Sequence, residues 1–204
     1  MIIFYDLETN GTLYEDRPLN QQPHIVQAAA ILVDSSGQMI DSLDQIVKPY
    51  RWKIPKSASS IHGISHEFAK ENGLPEEKVF AALKKLMQKA EMRVAHNEIF
   101  DRKILDAASQ RFDNGELKKL LDEMPSFCTM EKSINICKIP PTERMKKAGR
   151  NHYKSPRLSE VYRHFFGEDI KDVHNAMADV IACRKVYDEL NKPKKSLWSR
   201  LLRR

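Results

Sequence analysis

Two carboxylates near the start of the chain are spaced for metal binding. Asp6 and Glu8 follow the apolar stretch Met1 to Tyr5, and in a strand two side chains that are two residues apart lie on the same face. Adjacent negative charges repel each other, and hard divalent cations with oxygen ligands relieve that repulsion. The pair therefore indicates a cation site. Two exposed acids at a strand end, free to reach water, would fit the same spacing.

Two further acids are candidates to join this pair. Asp101 lies in the first turn of an expected helix that follows Asn97, a suitable N-cap residue, and the helix dipole favours an acid there in any protein. Asp179 stands among small and apolar residues of another expected helix. A carboxylate on an apolar helical face needs a cationic, hydrogen-bonding or metal partner. Asp179 is therefore the more informative of the two.

A histidine precedes Asp179 by five residues. If both side chains were in mid-helix, they would lie about 140° apart and could not share a site. If His174 instead lies before the helix begins, its imidazole can reach the face of Asp179. There it could deprotonate a water, with a pKa raised by the carboxylates and lowered by metals. A surface or helix-capping histidine is the alternative.

Hydrophobic periodicity predicts the elements that would position these residues. Three apolar stretches, Met1 to Tyr5, His24 to Val33 and Met39 to Val47, predict an antiparallel meander. Helical spacing and short apolar runs then predict a helix from Pro75, a strand at Met92 to Ala95, a helix after Asn97, a helix from Leu158 that ends at Gly167, and a helix at about 175–190. Strands first and then helices alternating with short strands indicate an α/β or α+β fold, with helices packed on a mixed sheet.

Length and composition fit one globular domain. The chain has 204 residues, of which 41% are hydrophobic and 30% charged, and no apolar run approaches the ~18 residues of a membrane span. Scattered glycine and proline, together with plain hydrophobic periodicity, exclude collagen and disorder as classes. The three cysteines form no C-x-x-C pair, and the first residues, MIIFYDLE, do not resemble a signal peptide. We therefore expect a reduced, cytoplasmic protein.

The net charge of +6 is unevenly distributed. Residues 192–204 contain six basic residues and no acidic one, while residues 138–157 contain seven lysines or arginines and only Glu143 as an acid. The rest of the chain is acidic. Such a distribution suits a protein that binds a polyanion with its basic segments while its carboxylates hold cations. In 138–157, Tyr153 adds an aromatic ring of the kind that stacks on single strands. A solvated loop and a solvated tail are the alternative.

The last residues form an amphipathic pattern. In a helix, Leu197, Trp198, Leu201 and Leu202 would share one side. Such a segment could bind a partner protein, an anionic membrane surface or nucleic acid, or pack Trp198 on the body. We therefore expect one domain at 1–191 and a basic amphipathic tail at 192–204.

Three motifs occur in a recognisable order: D-x-E-T-x-G at 6–11, H-N-x-x-F-D at 96–101, and H-N-A-x-x-D at 174–179. Together they resemble the DnaQ-like family of 3′–5′ exonucleases, in its branch with four acids and a histidine, which includes the proofreading epsilon subunit of DNA polymerase III. The resemblance runs from Ile2 to about Leu190 and includes I-H-G-I-S at 61–65. It implies a ribonuclease H-like α/β fold, with a five-stranded mixed sheet flanked by helices.

The resemblance also implies the catalytic roles. The four acids, Asp6, Glu8, Asp101 and Asp179, would hold two divalent ions, Mg²⁺ or Mn²⁺, with Asp6 bridging them, and His174 would be the general base. Glu8 and Asp179 would fix the ion that carries the nucleophilic water, and Asp101 would lie on the leaving-group side. Two ions about 3.5–4 Å apart neutralise the charge on both the entering and the departing oxygen.

A pocket for the 3′-terminal nucleotide is implied as well, lined by Leu7, Thr9, His62, Asn97 and Phe100. Phe100 could equally be a core residue, because it begins an apolar helical stripe. The implied reaction releases nucleoside 5′-monophosphates from single-stranded or unpaired DNA. An exoribonuclease and a noncatalytic nucleic-acid- or partner-binding module are the alternatives. A polymerase or another protein could bind through the tail.

Overall fold

The computed structural model describes residues 1–14, 16–171 and 175–192. Within them the chain forms six strands, nine α-helices and one 3₁₀ turn at Leu19–Gln21. The strands are β1 (Ile2–Thr9), β2 (Ile25–Val33), β3 (Met39–Lys48), β4 (Leu74–Pro75), β5 (Met92–Ala95) and β6 (Ser126–Cys128). The helices are α1 (Lys56–His62), α2 (His66–Asn72), α3 (Glu76–Met87), α4 (Glu98–Phe112), α5 (Glu116–Glu123), α6 (Thr129–Cys137), α7 (Glu143–Lys147), α8 (Leu158–Phe166) and α9 (Ala176–Leu190). No helix of these residues is long and apolar enough to cross a membrane.

The strands form one mixed sheet in the order β4-β3-β2-β1-β5-β6. The predicted opening meander is confirmed, because β1 pairs antiparallel with β2 and β2 pairs antiparallel with β3. The pairs β1 with β5, β5 with β6 and β3 with β4 are parallel. The expected count of five strands was wrong by one. β4 adds a two-residue strand beside β3, and so short a strand has no period-2 pattern to detect.

Side chains of β1 alternate between two cores. Tyr5 packs in the core that α3, α4 and α5 cover, while Phe4 packs with Val180 of α9 in the core on the other face. Because a strand alternates with period 2, Asp6 and Glu8 share the face of Phe4. The two acids therefore point toward the side of the sheet that α9 covers.

The helices end and begin much as their sequences predict. Gly167 ends α8 in the left-handed conformation, with φ of 72°, and the side chain of Asn175 caps α9 by accepting hydrogen bonds from two backbone N–H groups. Asn97 occupies the N-cap position of α4, as expected. Its backbone is left-handed, however, with φ of 67°, and its side chain makes no capping hydrogen bond.

Candidate active site

The first turn of α9 is placed beside β1 by a buried glutamine. Gln27 lies opposite Glu8 in the β1–β2 register and is only 3% exposed. Its Oε1 accepts a hydrogen bond from the backbone N–H of Ala176 at 3.3 Å, and its Nε2 donates to Asp44 Oδ1 at 2.8 Å. This contact fixes the start of α9, and with it Asp179, over the end of β1.

Three of the four predicted acids converge. Carboxylate oxygens of Asp6, Glu8 and Asp179 all lie within 4.8 Å of one another. Asp101, in the first turn of α4, is outside that trio, but it lines the same cavity of about 470 Å³, here called the carboxylate cavity. Its Oδ1 accepts a hydrogen bond from the backbone N–H of Leu7 at 3.1 Å, which ties α4 to the middle of the acidic pair.

The electrostatics of this cluster are unfavourable without a cation. Burial raises the pKa of Asp6 well above its usual value, and the three neighbouring carboxylates raise it further. Burial and the charge of Asp179 raise the pKa of Glu8 to about 7. Burial also raises the pKa of Asp101, and the hydrogen bond from Leu7 opposes that shift. A bound cation would offset this repulsion and favour the ionised carboxylates. Because all the available ligand atoms are oxygens, the site suits a hard divalent cation such as Mg²⁺ or Mn²⁺.

A second cavity of about 450 Å³, here called the neighbouring cavity, adjoins the first. The two share Leu7, Glu8, Ile61 and Phe100 as lining residues. The residues predicted to contact a terminal nucleotide lie at these two cavities: Leu7, Thr9, His62 and Phe100 line the neighbouring cavity, and Asn97 lines the carboxylate cavity. Phe100 is also partly buried against the core, so it both lines the cavity and packs in the core, as the two alternative expectations for it had it.

A buried ion pair joins the start of α4 to the sheet. Glu98 Oε1 accepts hydrogen bonds from Arg93 Nε at 2.6 Å and from the hydroxyl of Tyr5 at 3.2 Å. Both charged residues are 6% exposed, and Arg93 Nη1 also donates to the carbonyl of Leu121 at 2.7 Å. This group joins β1, β5 and the first turn of α4, and so it fixes the helix that carries Asp101.

One wall of the carboxylate cavity could not be predicted from sequence. Ser155, Pro156 and Arg157 line it, and Pro156 is held there by His96, whose Nε2 lies 3.0 Å from the proline carbonyl. A carbonyl oxygen only accepts, so Nε2 donates to Pro156. Nδ1 lies 2.9 Å from the hydroxyl of Thr129 and is the acceptor when the ring is neutral. Burial lowers the pKa of His96 to about 4. The sequence motif contains His96, but nothing in its spacing indicates a partner sixty residues later.

His174, the predicted general base, and residues 193–204 of the predicted tail lie outside the described residues.

A comparison with protein families matches residues 3–187 to the RNase_T model, described as an exonuclease. No curated protein matches the sequence. Solved structures do match: Escherichia coli exonuclease I in complex with a dT13 oligonucleotide (TM-score 0.73, 20% identity), the same enzyme with a dA16 oligonucleotide (0.69, 21%) and the zinc-bound form of its complex with single-stranded DNA (0.72, 21%). The alignments cover 98–99% of this chain but only 42–43% of those chains, so this chain spans less than half their length.

Proposed function

Since this chain belongs to the RNase_T family of exonucleases, we propose that it is a metal-dependent 3′–5′ exonuclease that releases nucleoside 5′-monophosphates from single-stranded or unpaired DNA. The observation that carries the proposal is the convergence of Asp6, Glu8 and Asp179 within 4.8 Å, in a cavity that Asp101 also lines. The oligonucleotides bound to the matched exonuclease I structures favour DNA as the substrate.

The four acids would hold two divalent ions in this proposal. Such ions would neutralise the negative charge that builds on the entering and leaving oxygens of the phosphodiester. Asp6 would be one of their ligands, and its carboxyl group is the one on which the charges of all three other acids act. The protein's own contribution is to hold four mutually repelling carboxylates in place, through β1, the capped start of α9 and the bond between Leu7 and Asp101.

The neighbouring cavity would hold the terminal nucleoside. Thr9 and His62 line it and do not line the carboxylate cavity, to which Asp179 belongs. His62 Nδ1 accepts from the backbone N–H of Ile64 at 3.1 Å, so a neutral imidazole carries its proton on Nε2. A free 3′-terminal sugar placed here would set the scissile phosphate over the carboxylates, which accounts for attack from an end.

His174 would be the general base that takes a proton from the attacking water, as its motif suggests. Replacing it with alanine should lower turnover by about 10²–10⁴, the usual contribution of such a base, while metal binding persists. His164→Ala, a change at an exposed histidine of α8, is the matched control. An unchanged rate in His174→Ala would remove this role.

An exoribonuclease is the second candidate, because a metal centre that acts on the phosphate does not read the sugar 2′ position. Oligonucleotides of DNA and RNA labelled at the 5′ end, incubated with Mg²⁺, distinguish the two. We expect a ladder of products that shorten from the 3′ end, faster with DNA, and none with Asp6→Ala. Asp188→Ala, at an exposed acid of α9, should retain activity. Products that shorten from the 5′ end would contradict the proposal.

A noncatalytic binding module is the remaining alternative. It has no physical reason to keep repelling carboxylates together, whereas an enzyme needs them for cations. Calorimetry with Mn²⁺ should show binding at two sites that Asp6→Ala or Asp179→Ala removes. No binding to the unmodified protein would favour the module.

Three further expectations accompany the proposal. They are a catalytic domain at 1–191, a cytoplasmic location, and a protein partner that binds through residues 192–204. The comparisons give no support to a polymerase as that partner.

A further inference from the structure

We propose that residues 138–157, here called the basic segment, form the track that binds the nucleic-acid strand on the 5′ side of the scissile phosphate. The inference rests on the proposed function, because it needs the terminal nucleoside in the neighbouring cavity and the phosphate at the carboxylates. It adds a binding surface to that function, with single-stranded DNA as the ligand class.

The relative position of the two cavities gives the strand its direction. The neighbouring cavity includes Thr9 and His62, while the carboxylate cavity extends to Ser155, Pro156 and Arg157. With the terminal nucleoside in the first and the scissile phosphate at the acids, the preceding nucleotide must lie in the second. The strand then leaves past Arg157, which is the last residue of the basic segment.

The basic segment is a folded loop. Its two ends are joined by a hydrogen bond from the backbone N–H of Lys154 to the carbonyl of Ile139, at 2.9 Å. Between them lies α7, whose first turn is capped by the side chain of Thr142. A turn at Gly149, with φ of 72°, returns the chain, and Arg150 N–H donates to the carbonyl of Met145 at 2.9 Å. A loop ordered in this way loses less conformational entropy when it binds a strand.

The end of the basic segment is anchored to the candidate active site. Pro156 is buried, and its carbonyl accepts the hydrogen bond from His96. Next to it, Glu160 in the first turn of α8 accepts from the backbone N–H of Arg157 at 2.6 Å and pairs with Lys154 at 2.5 Å. These contacts hold the basic segment against the rim of the carboxylate cavity.

Most of the positive charge of the basic segment is available to a ligand. Lys146 pairs with Glu143, and Lys154 pairs with Glu160. Among the described residues, no acidic side chain forms an ion pair with the other five basic residues of the loop, all of them exposed, which are Lys138, Arg144, Lys147, Arg150 and Arg157. Phosphates of a bound strand would supply the missing counter-charges. Tyr153, which is 40% exposed, can stack on a base.

A triple variant, Arg144→Gln, Lys147→Gln and Arg150→Gln, tests the track. The matched control replaces three exposed lysines of α3 and α5, the helices that pack on the face of the sheet opposite to α9. These changes are Lys78→Gln, Lys85→Gln and Lys119→Gln. Each variant is assayed on an oligothymidylate and on the p-nitrophenyl ester of thymidine 5′-monophosphate. That ester supplies one nucleoside and one phosphate, and its leaving group is p-nitrophenol in place of the nucleotide on the 5′ side.

We expect the basic-segment variant to raise KM for the oligothymidylate at least about tenfold, with little change in kcat or in hydrolysis of the ester. The dependence of its binding on salt should also weaken, by about 0.7 in logarithmic slope for each phosphate that the variant no longer neutralises. The control variant should match the unmodified protein on both substrates.

Equal KM values for the oligothymidylate in the two triple variants would overturn the track, and so would an equal loss of ester hydrolysis in the basic-segment variant. Fluorescence anisotropy with a labelled oligothymidylate, measured with Asp179→Ala added to every variant, separates binding from cleavage. If the unmodified protein cleaved neither substrate, the proposed function would fail. The anisotropy would still decide whether the basic segment binds the strand.

Discussion

At the residue scale, Asp6 is the acid whose surroundings most favour a bound cation. Burial and three neighbouring carboxylates disfavour its ionised form. A group in this position destabilises the metal-free protein and becomes favourable when a cation binds.

Asp6→Asn should therefore melt at a higher temperature than the unmodified protein in EDTA, because the substitution removes one repelling charge. Mn²⁺ at about a hundred times its dissociation constant should stabilise the unmodified protein by about 2.7 kcal/mol. For a chain of this size that corresponds to a rise of about 5–10 °C in melting temperature. The variant should lose most of that rise, as thermal melts followed by circular dichroism would show.

Asp188→Asn provides the control for this comparison, since it removes an acid from the exposed side of α9. It should respond to Mn²⁺ as the unmodified protein does. A lower melting temperature of Asp6→Asn in EDTA, or an undiminished response to Mn²⁺, would contradict the assignment of Asp6 as a metal ligand.

At the element scale, the contact between His96 and the loop before α8 joins parts of the chain that are distant in sequence. The imidazole lies at the end of β5 and bonds Thr129 at the start of α6 and Pro156 at the cavity wall. Burial lowers the pKa of this imidazole to about 4, so at neutral pH the ring carries no charge.

Stability should fall with acid because of this histidine. Its pKa is about 4 in the folded protein and about 6.5 in the unfolded chain, so between these values the unfolded chain binds the extra proton. The neutral ring stabilises the fold fully above about pH 6.5, and lowering the pH to 4 removes about 3 kcal/mol. Urea unfolding across this range measures the loss.

The comparison for that experiment is His96→Gln, which cannot gain a proton. It should show a flatter dependence on pH between 4 and 6.5, and the difference between the two proteins cancels the contributions of the other titrating groups. Parallel curves for the two proteins would show that His96 titrates normally.

The packing of α2 against the sheet provides a second test at this scale. A Cβ added at Gly73, just after α2, would lie 2.4 Å from Lys48 N and 2.5 Å from Ala69 O. Both are backbone atoms that cannot move aside alone. Gly73→Ala should therefore cost about 1–3 kcal/mol of unfolding free energy, measured by urea unfolding.

Gly11→Ala is the matched control, because a Cβ at Gly11 meets no atom within 4 Å. Its unfolding free energy should stay within about 0.5 kcal/mol of that of the unmodified protein. Equal stabilities of the two variants would mean that the backbone around Gly73 adjusts without strain.

Elements with a long period and clear end signals could be predicted from sequence. The strands of the meander, α8 with Gly167 and α9 with Asn175 are examples, because each depends on its own residues. β4 and β6, of two and three residues, could not be predicted, since they are strands only because β3 and β5 lie beside them. Period-2 alternation placed Asp6 and Glu8 on one face, but no local pattern could indicate that Pro156 would complete the cavity wall.

At the scale of the whole molecule, negative and positive charges are concentrated in different regions. The sheet and its helices bring acids to one cavity, while the basic charge is concentrated in one ordered loop and in residues 192–204. A protein with this distribution would attract a polyanion at its basic parts and present cations to it at the acidic centre.

A chain ending at Lys192 should keep the fold and the cleavage of the nucleotide ester, because the last described helix, α9, ends at Leu190. Its affinity for oligonucleotides should fall, and the fall should be larger at low salt. Thermal melts and ester hydrolysis of the shortened chain test this boundary. A chain that fails to fold without residues 193–204 would show that the tail belongs to the domain.

The position of α9 also bears on how the protein is synthesised. The third acid of the trio arrives with the last described helix, about 170 residues after the first, and it is placed only when Ala176 docks on Gln27. A polypeptide that has emerged only as far as α8 therefore lacks one of the three converging acids, and the two that are already present cannot form the cluster alone.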